Sequence, residues 1–291
     1  MEIKINNLTK RYGKLVALNK INMEASGPGC IAILGPNGAG KTTMLKLISN
    51  IIKPTEGSVL INNINVSDYP ERALKYLGAL IEQPEFYYYL NGYEILRFAA
   101  KVKGIKNNID EEIKRLADLT DIKSYLYRKT GTYSRGMKQR LALAVAMVGN
   151  PEIIILDEPT FGLDPRGMAY IRDLIKDLSR EKLIILSTHL IYEAREVSNR
   201  TLIIDHGEIK YDSIKNDNKK RILVTFDGPF NGIKSDVIED IKNLDGNKMI
   251  ITPVESVSNY DIIYDLIKNN VKIKSVQEYD DLEEKYISIT S

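Results

Sequence analysis

Gly35-Pro36-Asn37-Gly38-Ala39-Gly40-Lys41-Thr42-Thr43 is the stretch whose reading decides the fold. It matches the phosphate-binding pattern G-x-x-x-x-G-K-[ST]. Its glycines let the backbone curl so that successive N–H groups point inward at phosphate oxygens. A helix beginning at Lys41 adds its positive N-terminal end. In such a loop Gly35, Asn37, Gly38, Ala39, Gly40 and Thr43 form the cradle, Lys41 reaches the outer phosphates, and Thr42 is placed to ligate Mg²⁺. The apolar run Cys30–Leu34 before the loop reads as a buried strand, and the segment from Lys41 to about Asn50 reads as a helix. Strand, glycine loop and helix in that order predict an α/β fold of the P-loop NTPase type, with a mainly parallel sheet around the loop and an antiparallel β-subdomain at the N-terminus.

Working outward, Ile153–Leu156 and Leu183–Leu186 are short unbroken apolar runs, as expected of strands buried on both faces of a parallel sheet. Arg166–Ser179, with Pro165 near its start, reads as the crossover helix between them. The first run delivers Asp157 and Glu158 to a strand's C-terminal end, where open α/β sheets bind their ligands. There Asp157 can hold Mg²⁺ and Glu158 can orient or deprotonate an attacking water. An acidic pair after a strand is by itself more often a helix cap or a solvated loop, but the phosphate loop upstream reverses that reading.

Toward the N-terminus, Glu2–Leu8 reads as a strand. Gly57–Ile61 and Asn65–Val66 flank an Asn62-Asn63 turn and predict an antiparallel hairpin. From about 82 to 150 the period becomes helical, in Tyr93, Leu96, Ala99 and Ala100, then in Ile113, Leu116 and Leu119. Tyr211–Lys220 is polar and reads as a linker. Beyond it Arg221–Phe226, Met249–Thr252 and Val271–Val276 read as strands and Asn259–Lys268 as a helix. The expected organisation is a nucleotide-binding domain over 1–215, with a helical insertion at about 85–150, and a small α+β unit over 221–291.

Composition excludes several classes. The 291 residues carry 41 basic and 39 acidic side chains, a net charge of +2, which gives no nucleic-acid or membrane-surface footprint. The single cysteine, Cys30, rules out an intrachain disulfide and sits in an apolar run, as a buried inert thiol does. Met1–Lys10 has no apolar core of a signal peptide. The longest apolar stretch, Leu141–Val148, is far short of the roughly 20 residues a membrane helix needs. Any membrane-spanning part must come from another chain.

The motifs together resemble the nucleotide-binding domain of ABC ATPases over roughly residues 1–215. Besides the two nucleotide motifs, Tyr133-Ser134-Arg135-Gly136-Met137 resembles the family signature Leu-Ser-Gly-Gly-Gln. Phe161-Gly162-Leu163-Asp164 resembles the loop after the catalytic Glu. His189 in Ser187-Thr188-His189 resembles the switch histidine, and Tyr12 in Lys10-Arg11-Tyr12-Gly13 the aromatic that stacks on adenine. The resemblance implies ATP and Mg²⁺ as ligands and Glu158, His189 and Lys41 as catalytic residues. It further implies a homodimer in the ATP-bound state, in which Ser134 and Gly136 face the γ-phosphate of the other copy's ATP and Asp164 lies at the interface. His206 carries no such motif and reads as structural.

This chain departs from the pattern at Arg135 and Met137, where the family usually has Gly and Gln. Arg135 either adds a cation near the phosphates or points to solvent. In Ile81-Glu82-Gln83-Pro84 the residue at the Mg²⁺-sensing position is Glu82 or Gln83. Alignment on the proline favours Glu82, which resembles the ATPases of bacitracin-resistance and lantibiotic-immunity exporters. Four consecutive aromatics, Phe86-Tyr87-Tyr88-Tyr89, follow between Glu85 and Leu90, either core packing of the helical insertion or a groove for a membrane partner. The tail Gln277–Thr290 resembles that of drug- and peptide-exporter ATPases, with an acidic segment before an aromatic helix, and reads as a packing or dimer-supporting appendage or, alternatively, a regulatory ligand site.

The function implied is ATP hydrolysis powering a separate integral membrane permease, with the chain cytoplasmic and peripheral on the inner face of the membrane. Export of an antimicrobial peptide or drug is the narrower expectation. A soluble ABC ATPase acting on ribosome or DNA is the rival. The single domain and the near-neutral charge argue against it, and no nucleic-acid partner is expected. A regulator that binds ATP without hydrolysis is disfavoured by the joint presence of Lys41, Asp157, Glu158 and His189.

Overall fold

The computed structural model describes residues 1–214, 221–228, 232–233, 235–244, 247–254, 257–279 and 282–290. The chain divides into two compact units, Met1–Asp212 and Ser213–Ile289. In the first unit the strands are β1 (Glu2–Tyr12), β2 (Leu15–Ser26), β3 (Gly29–Leu34), β4 (Glu56–Ile61), β5 (Ile64–Asn65), β6 (Leu77–Leu80), β7 (Ile153–Asp157), β8 (Leu183–Thr188), β9 (Arg200–Asp205) and β10 (Glu208–Asp212). Its helices are α1 (Lys41–Ile48), α2 (Pro70–Leu74), α3 (Gly92–Val102), α4 (Ile109–Leu119), α5 (Arg135–Ala146), α6 (Pro165–Ser179) and α7 (Ile191–Val197).

Two sheets form the first unit. One is antiparallel, in the order β2-β1-β4-β5, and the other runs β10-β9-β3-β8-β7-β6 with all neighbours parallel except the β9–β10 hairpin. The inner strands β3, β7 and β8 are apolar along their length because both faces are covered; Ile33, Ile155 and Ile185 are fully buried. One apolar core joins Ile31, Ile33, Ile155 and Ile185 of the parallel sheet to Ile3, Ile5, Val59 and Ile61 of the antiparallel one, with Met44, Leu45 and Ile48 of α1 between. Each such side chain stabilises the fold by about 1.5–3 kcal/mol relative to exposure. Cys30 is buried too, at 1% exposure, and burial pushes its thiol pKa up, which keeps it inert.

The helical region starts where its caps are. Asn91 accepts from the Glu94 N–H at 2.9 Å, and the Glu94 carboxylate accepts from the Asn91 N–H at 2.8 Å, a reciprocal capping box for α3. Asp110, Glu111 and Glu112 occupy the first turn of α4, favourable at the positive helix end. The aromatic run is not core: Tyr87, Tyr88 and Tyr89 are 69%, 75% and 56% exposed, so the packing alternative fails and the rings form a surface cluster.

Several boundaries differ from the sequence expectation. The first strand runs on to Tyr12, and β2 pairs back on it from Tyr12↔Leu15 to Glu2↔Ser26. The crossover helix begins at Pro165 itself, capped by Asp164. Tyr211 and Asp212, expected in the linker, belong to β10; Asp212 is held by two hydrogen bonds from buried Arg200, at 3.0 and 2.7 Å. Residues 215–220 of the expected linker lie outside the described residues.

The second unit holds an antiparallel sheet in the order β12-β13-β11-β14, formed by β11 (Arg221–Asp227), β12 (Ile238–Leu244), β13 (Lys248–Pro253) and β14 (Lys272–Tyr279), with α8 (Asn259–Lys268) and α9 (Leu282–Thr290). Its core is Ile222, Val224, Phe226, Met249 and Ile251 against Ile262 and Leu266 of α8. The acidic segment expected before the last helix is partly strand, because Gln277–Tyr279 pair with β11; Asp280 and Asp281 lie outside the described residues.

Candidate functional site

Parallel register brings the polar ends of three strands to one edge. β3 pairs Leu34 with Thr188, and β7 pairs Asp157 with Ser187. The strand ends are then laced together. The Gly35 N–H donates to the Thr188 carbonyl at 3.3 Å, and the Glu158 N–H to the Ser187 carbonyl and hydroxyl at 3.2 and 3.0 Å. The Ser187 hydroxyl donates in turn to Asp157 Oδ1 at 2.5 Å.

The phosphate loop curls between β3 and α1. Gly40, the N-cap of α1, has φ +109°, and a Cβ there would stand 2.7 Å from the Ala17 carbonyl and from Leu18. Only glycine fits this position. No side chain caps α1 and its first turn holds no acid, so its N–H groups are left for an anion. Lys41 is 5% exposed. Its Nζ donates to the Gly35 and Pro36 carbonyls at 2.8 and 3.1 Å and lies 3.7 Å from Glu158 Oε1. Burial holds the ammonium pKa below the ordinary lysine value, and the Glu158 and Asp157 charges partly offset that.

Glu158 stands at the centre. Its backbone is left-handed, φ +44°, a conformation an L-residue adopts at a cost and one that concentrates at functional sites. Its carboxylate spans Lys41 on one oxygen and His189 Nδ1, 3.2 Å away, on the other. The His189 contact is not a hydrogen bond, and among the described residues Nδ1 has no hydrogen-bond partner. A cavity of about 470 Å³ opens beside the pair, bordered by Thr42, Asp157, Glu158, Glu82 and Gln83. Among the described residues no cluster of three or more His, Cys, Asp or Glu forms a self-sufficient metal cage. A hydroxyl and a carboxylate on one cavity do fit Mg²⁺, which keeps waters and shares substrate phosphates. Glu82, at φ +63°, pairs its carboxylate with Lys46.

Lys41, Thr42, Asp157, Glu158 and His189 are thus together, with Gly35 and the loop through Thr43 around them. Asn37 and Gly38 are exposed at the loop tip and Ala39 is buried. Tyr12 ends the β1–β2 hairpin, half exposed, with Lys10 Nζ 5.0 Å above its ring. Asp164 caps α6 through Gly167 N–H at 2.9 Å. Ser134 caps α5 through Met137 N–H at 3.3 Å, and Gly136 lies in that helix's first turn. His206 is a turn residue between β9 and β10, its side chain 91% exposed.

Arg135 is exposed and borders the same cavity as Thr42, Asp157 and Glu158. Its guanidinium stacks on Phe161 of the same chain, 4.9 Å from the ring centroid, and fills the space over Gly162. One turn on, buried Gln139 donates to the Pro159 carbonyl at 2.7 Å, so α5 grips the loop after Glu158 twice. Sequence reading missed these contacts, and it also missed Glu193, buried behind the same loop. The local signal was a bulky residue at each of two positions, 135 and 161, that meet in space.

A phosphate cradle, a strand-end carboxylate pair and a histidine on one edge of a parallel sheet define a P-loop nucleoside-triphosphate hydrolase. Comparison with known proteins gives the family. Residues 18–161 match the ABC transporter family model. The bacitracin transport ATP-binding protein BcrA of Enterococcus faecalis is 30% identical over 98% of this chain and 95% of its own length. The lantibiotic transport ATP-binding protein SrtF of Streptococcus pyogenes is 32% identical over 74% of this chain and 93% of its own. The dimeric, post-hydrolysis structure of the ATP-binding cassette MJ0796 with ADP and Pi is 28% identical, with a TM-score of 0.66 over 72% of this chain and 97% of that one. The chain belongs to the ABC transporter ATP-binding proteins, and it is an ATP-binding, ATP-hydrolysing subunit.

Proposed function

We propose that this subunit powers a separate integral membrane permease that exports an antimicrobial peptide or a drug. The relatives' names, bacitracin transport and lantibiotic transport ATP-binding protein, support transport of such a compound, and the match over almost the whole chain includes the second unit, which we take as an accessory domain. Among the described residues no helix is long and apolar enough to cross a membrane, so the spanning part belongs to a partner. The chain then works at the inner face of the membrane.

The observation that carries the chemistry is Glu158 held in a left-handed backbone between Lys41 and His189. In this reading the loop N–H groups and Lys41 bind the β- and γ-phosphates of ATP, and Tyr12 stacks on adenine. Thr42 and Asp157 hold Mg²⁺, with Glu82 or Gln83 beside them; when bound, the ion offsets phosphate charge. Glu158 takes the proton of the attacking water and His189 holds the geometry. Catalysis is positioning and charge stabilisation rather than covalent chemistry. Ser134 and Gly136 serve the ATP of a second copy, with Asp164 at the interface, so each complete site needs two protomers.

The test is Glu158→Gln. The variant should bind ATP and lose turnover; near-normal hydrolysis would remove Glu158 from the role. Purified from native membranes with ATP and Mg²⁺, the tagged variant should bring down a polytopic membrane chain in equal amount. Recovery of ribosomes or DNA-bound proteins instead would overturn transport and favour the soluble alternative.

A further inference from the structure

Hydrolysis by this site needs two loops in register: the one that carries Glu158 and continues through Pro159, Thr160 and Phe161, and the one that carries His189. They leave different strands, β7 and β8, and their tips are not paired by the sheet beyond Asp157↔Ser187. Beside the Glu158–His189 contact and an edge-on approach of the Phe161 ring to His189 at 6.2 Å, one buried carboxylate bridges them further out. Glu193, on α7, is 1% exposed. Its Oε1 accepts from the Thr160 hydroxyl at 2.7 Å and its Oε2 from the Thr188 hydroxyl at 2.5 Å. Both threonines are buried as well, at 2% and 1% exposure. The Thr188 hydroxyl also accepts from the Leu190 N–H at 3.0 Å, so the backbone on both sides of His189 is tied to the same carboxylate.

We infer that Glu193 is a positioning residue for ATP hydrolysis, a buried carboxylate that fixes the loop of Glu158 relative to the segment of His189. This rests on the proposed roles of Glu158 and His189. A carboxylate suits the task because it is an acceptor at both ends, and the two loops each present a hydroxyl donor. A purely apolar filler would pack but could not set the spacing of the two loops. Burying the group is costly, and burial does raise its pKa; the two threonine hydroxyls, Arg172 and His189 act the other way. A fold that needed only packing here would carry an apolar residue.

The geometry also ranks the substitutions. In Glu193→Ala both loops lose their common anchor. In Glu193→Gln the amide oxygen can still accept from Thr188, while the amide N–H₂ donates to the Thr160 hydroxyl once that hydroxyl turns, so the bridge survives in altered form. Thr160→Val keeps the volume and cuts only the strut to the Glu158 loop. Misplacement of a catalytic group by about 1 Å can cost roughly a hundredfold in rate.

The experiment is steady-state ATPase of the full-length chain with Mg²⁺, together with equilibrium binding of a fluorescent ATP analogue, for Glu193→Ala, Glu193→Gln, Thr160→Val and Glu158→Gln. Expected are kcat losses of about tenfold or more in Glu193→Ala and Thr160→Val, with nucleotide affinity held within about twofold. Glu193→Gln should recover most of the loss, and the double variant Thr160→Val/Glu193→Ala should be no slower than Glu193→Ala alone, because one strut is removed once. A kcat within about twofold of the parent in Thr160→Val and Glu193→Ala alike, with Glu158→Gln inactive, overturns the inference and leaves the proposed base standing. Affinity falling in step with kcat also overturns it, since that marks a merely structural role. Turnover surviving in Glu158→Gln would instead remove the base assignment on which the inference rests. Should Glu193→Ala fail to fold, Thr160→Val decides by the same criteria.

Discussion

Gly78→Ala is a substitution whose usual effect the structure reverses. Gly78 lies in β6 with ordinary backbone torsion, so adding a methyl there would normally gain about 0.5–1 kcal/mol by restricting the unfolded chain. Here a Cβ would stand 1.8 Å from the Ala146 carbonyl oxygen, 2.9 Å from its carbon and 2.9 Å from Pro151. Real Cβ atoms keep at least 3.0 Å, so the gap must open by 1.2 Å (3.0 minus 1.8). Nothing flexible can give way, because the obstacle is the backbone at the end of α5, next to the turn that enters β7. Overpacking of this kind costs about 1–3 kcal/mol and more when backbone must move. We expect a net loss of about 2–3 kcal/mol, or a fall in melting temperature of roughly 4–12 °C for a unit of this size. Scanning calorimetry of parent and variant measures it. Since α5 also begins at Ser134, its displacement should slow ATP turnover as well. A variant at least as stable as the parent would show that α5 does not press on β6 and would refute the packing described for the helical region.

Gly162→Ala at φ +71° should cost about 1–2 kcal/mol for the left-handed backbone and a further ~0.5–1 kcal/mol because its methyl, 2.1 Å from the Arg135 guanidinium carbon, evicts the stack on Phe161. Arg135→Ala/Gly162→Ala should then be no less stable than Gly162→Ala alone in urea unfolding, and an added cost equal to that of Arg135→Ala alone would mean that the methyl leaves the stack in place. The Glu112 carboxyl is held below its ordinary pKa by hydrogen bonds from Arg115, with a further one from the Gly149 N–H. The unfolded chain therefore binds more protons in that window, so the contribution of Glu112 is full above pH 4.5 and is lost as pH falls through the lower folded-state value. Glu112→Gln should flatten the acid limb of the stability profile; an unchanged limb would rule the contribution out. Glu82→Gln should retain ATPase activity, and because the Lys46–Glu82 pair is largely exposed, Glu82→Ala should change stability by less than about 1 kcal/mol while lowering transport. Unchanged transport in Glu82→Ala would remove Glu82 from the mechanism.

The parts of the fold that were legible in sequence are those in which one physical effect dominates. Ile153–Leu156 and Leu183–Leu186 could be read because strands buried on both faces tolerate nothing but apolar residues. β2 was missed although Ile21, Met23 and Ala25 alternate inward, because Lys20, at φ +48°, and register shifts at Leu8 and Lys10 break the period. β6 is only four residues long, too short for any period to show. In β12 the partly buried residues Ile238, Ile241 and Leu244 recur every third position, a helical spacing in a strand that pairs only with β13 and buries none of its residues fully.

The same reasoning separates the site residues that sequence could place from those it could not. In a parallel sheet every strand ends at the same edge, so a polar residue closing an apolar run is brought there by topology alone. Lys41, Asp157, Glu158 and His189 each follow a buried strand, and their convergence needed no knowledge of side-chain contacts. Ser134 and Gly136 begin a helix of the insertion, to which no such rule applies, and their proposed partner is a second copy of the chain. Glu193 is harder still. Its neighbours Thr160 and Thr188 lie in the loop after β7 and at the end of β8, and a glutamate in the first turn of a short helix reads as solvated. Only the strand register, which brings those two hydroxyls to within 2.7 and 2.5 Å of its oxygens, turns it from a surface charge into the strut between the loops of Glu158 and His189.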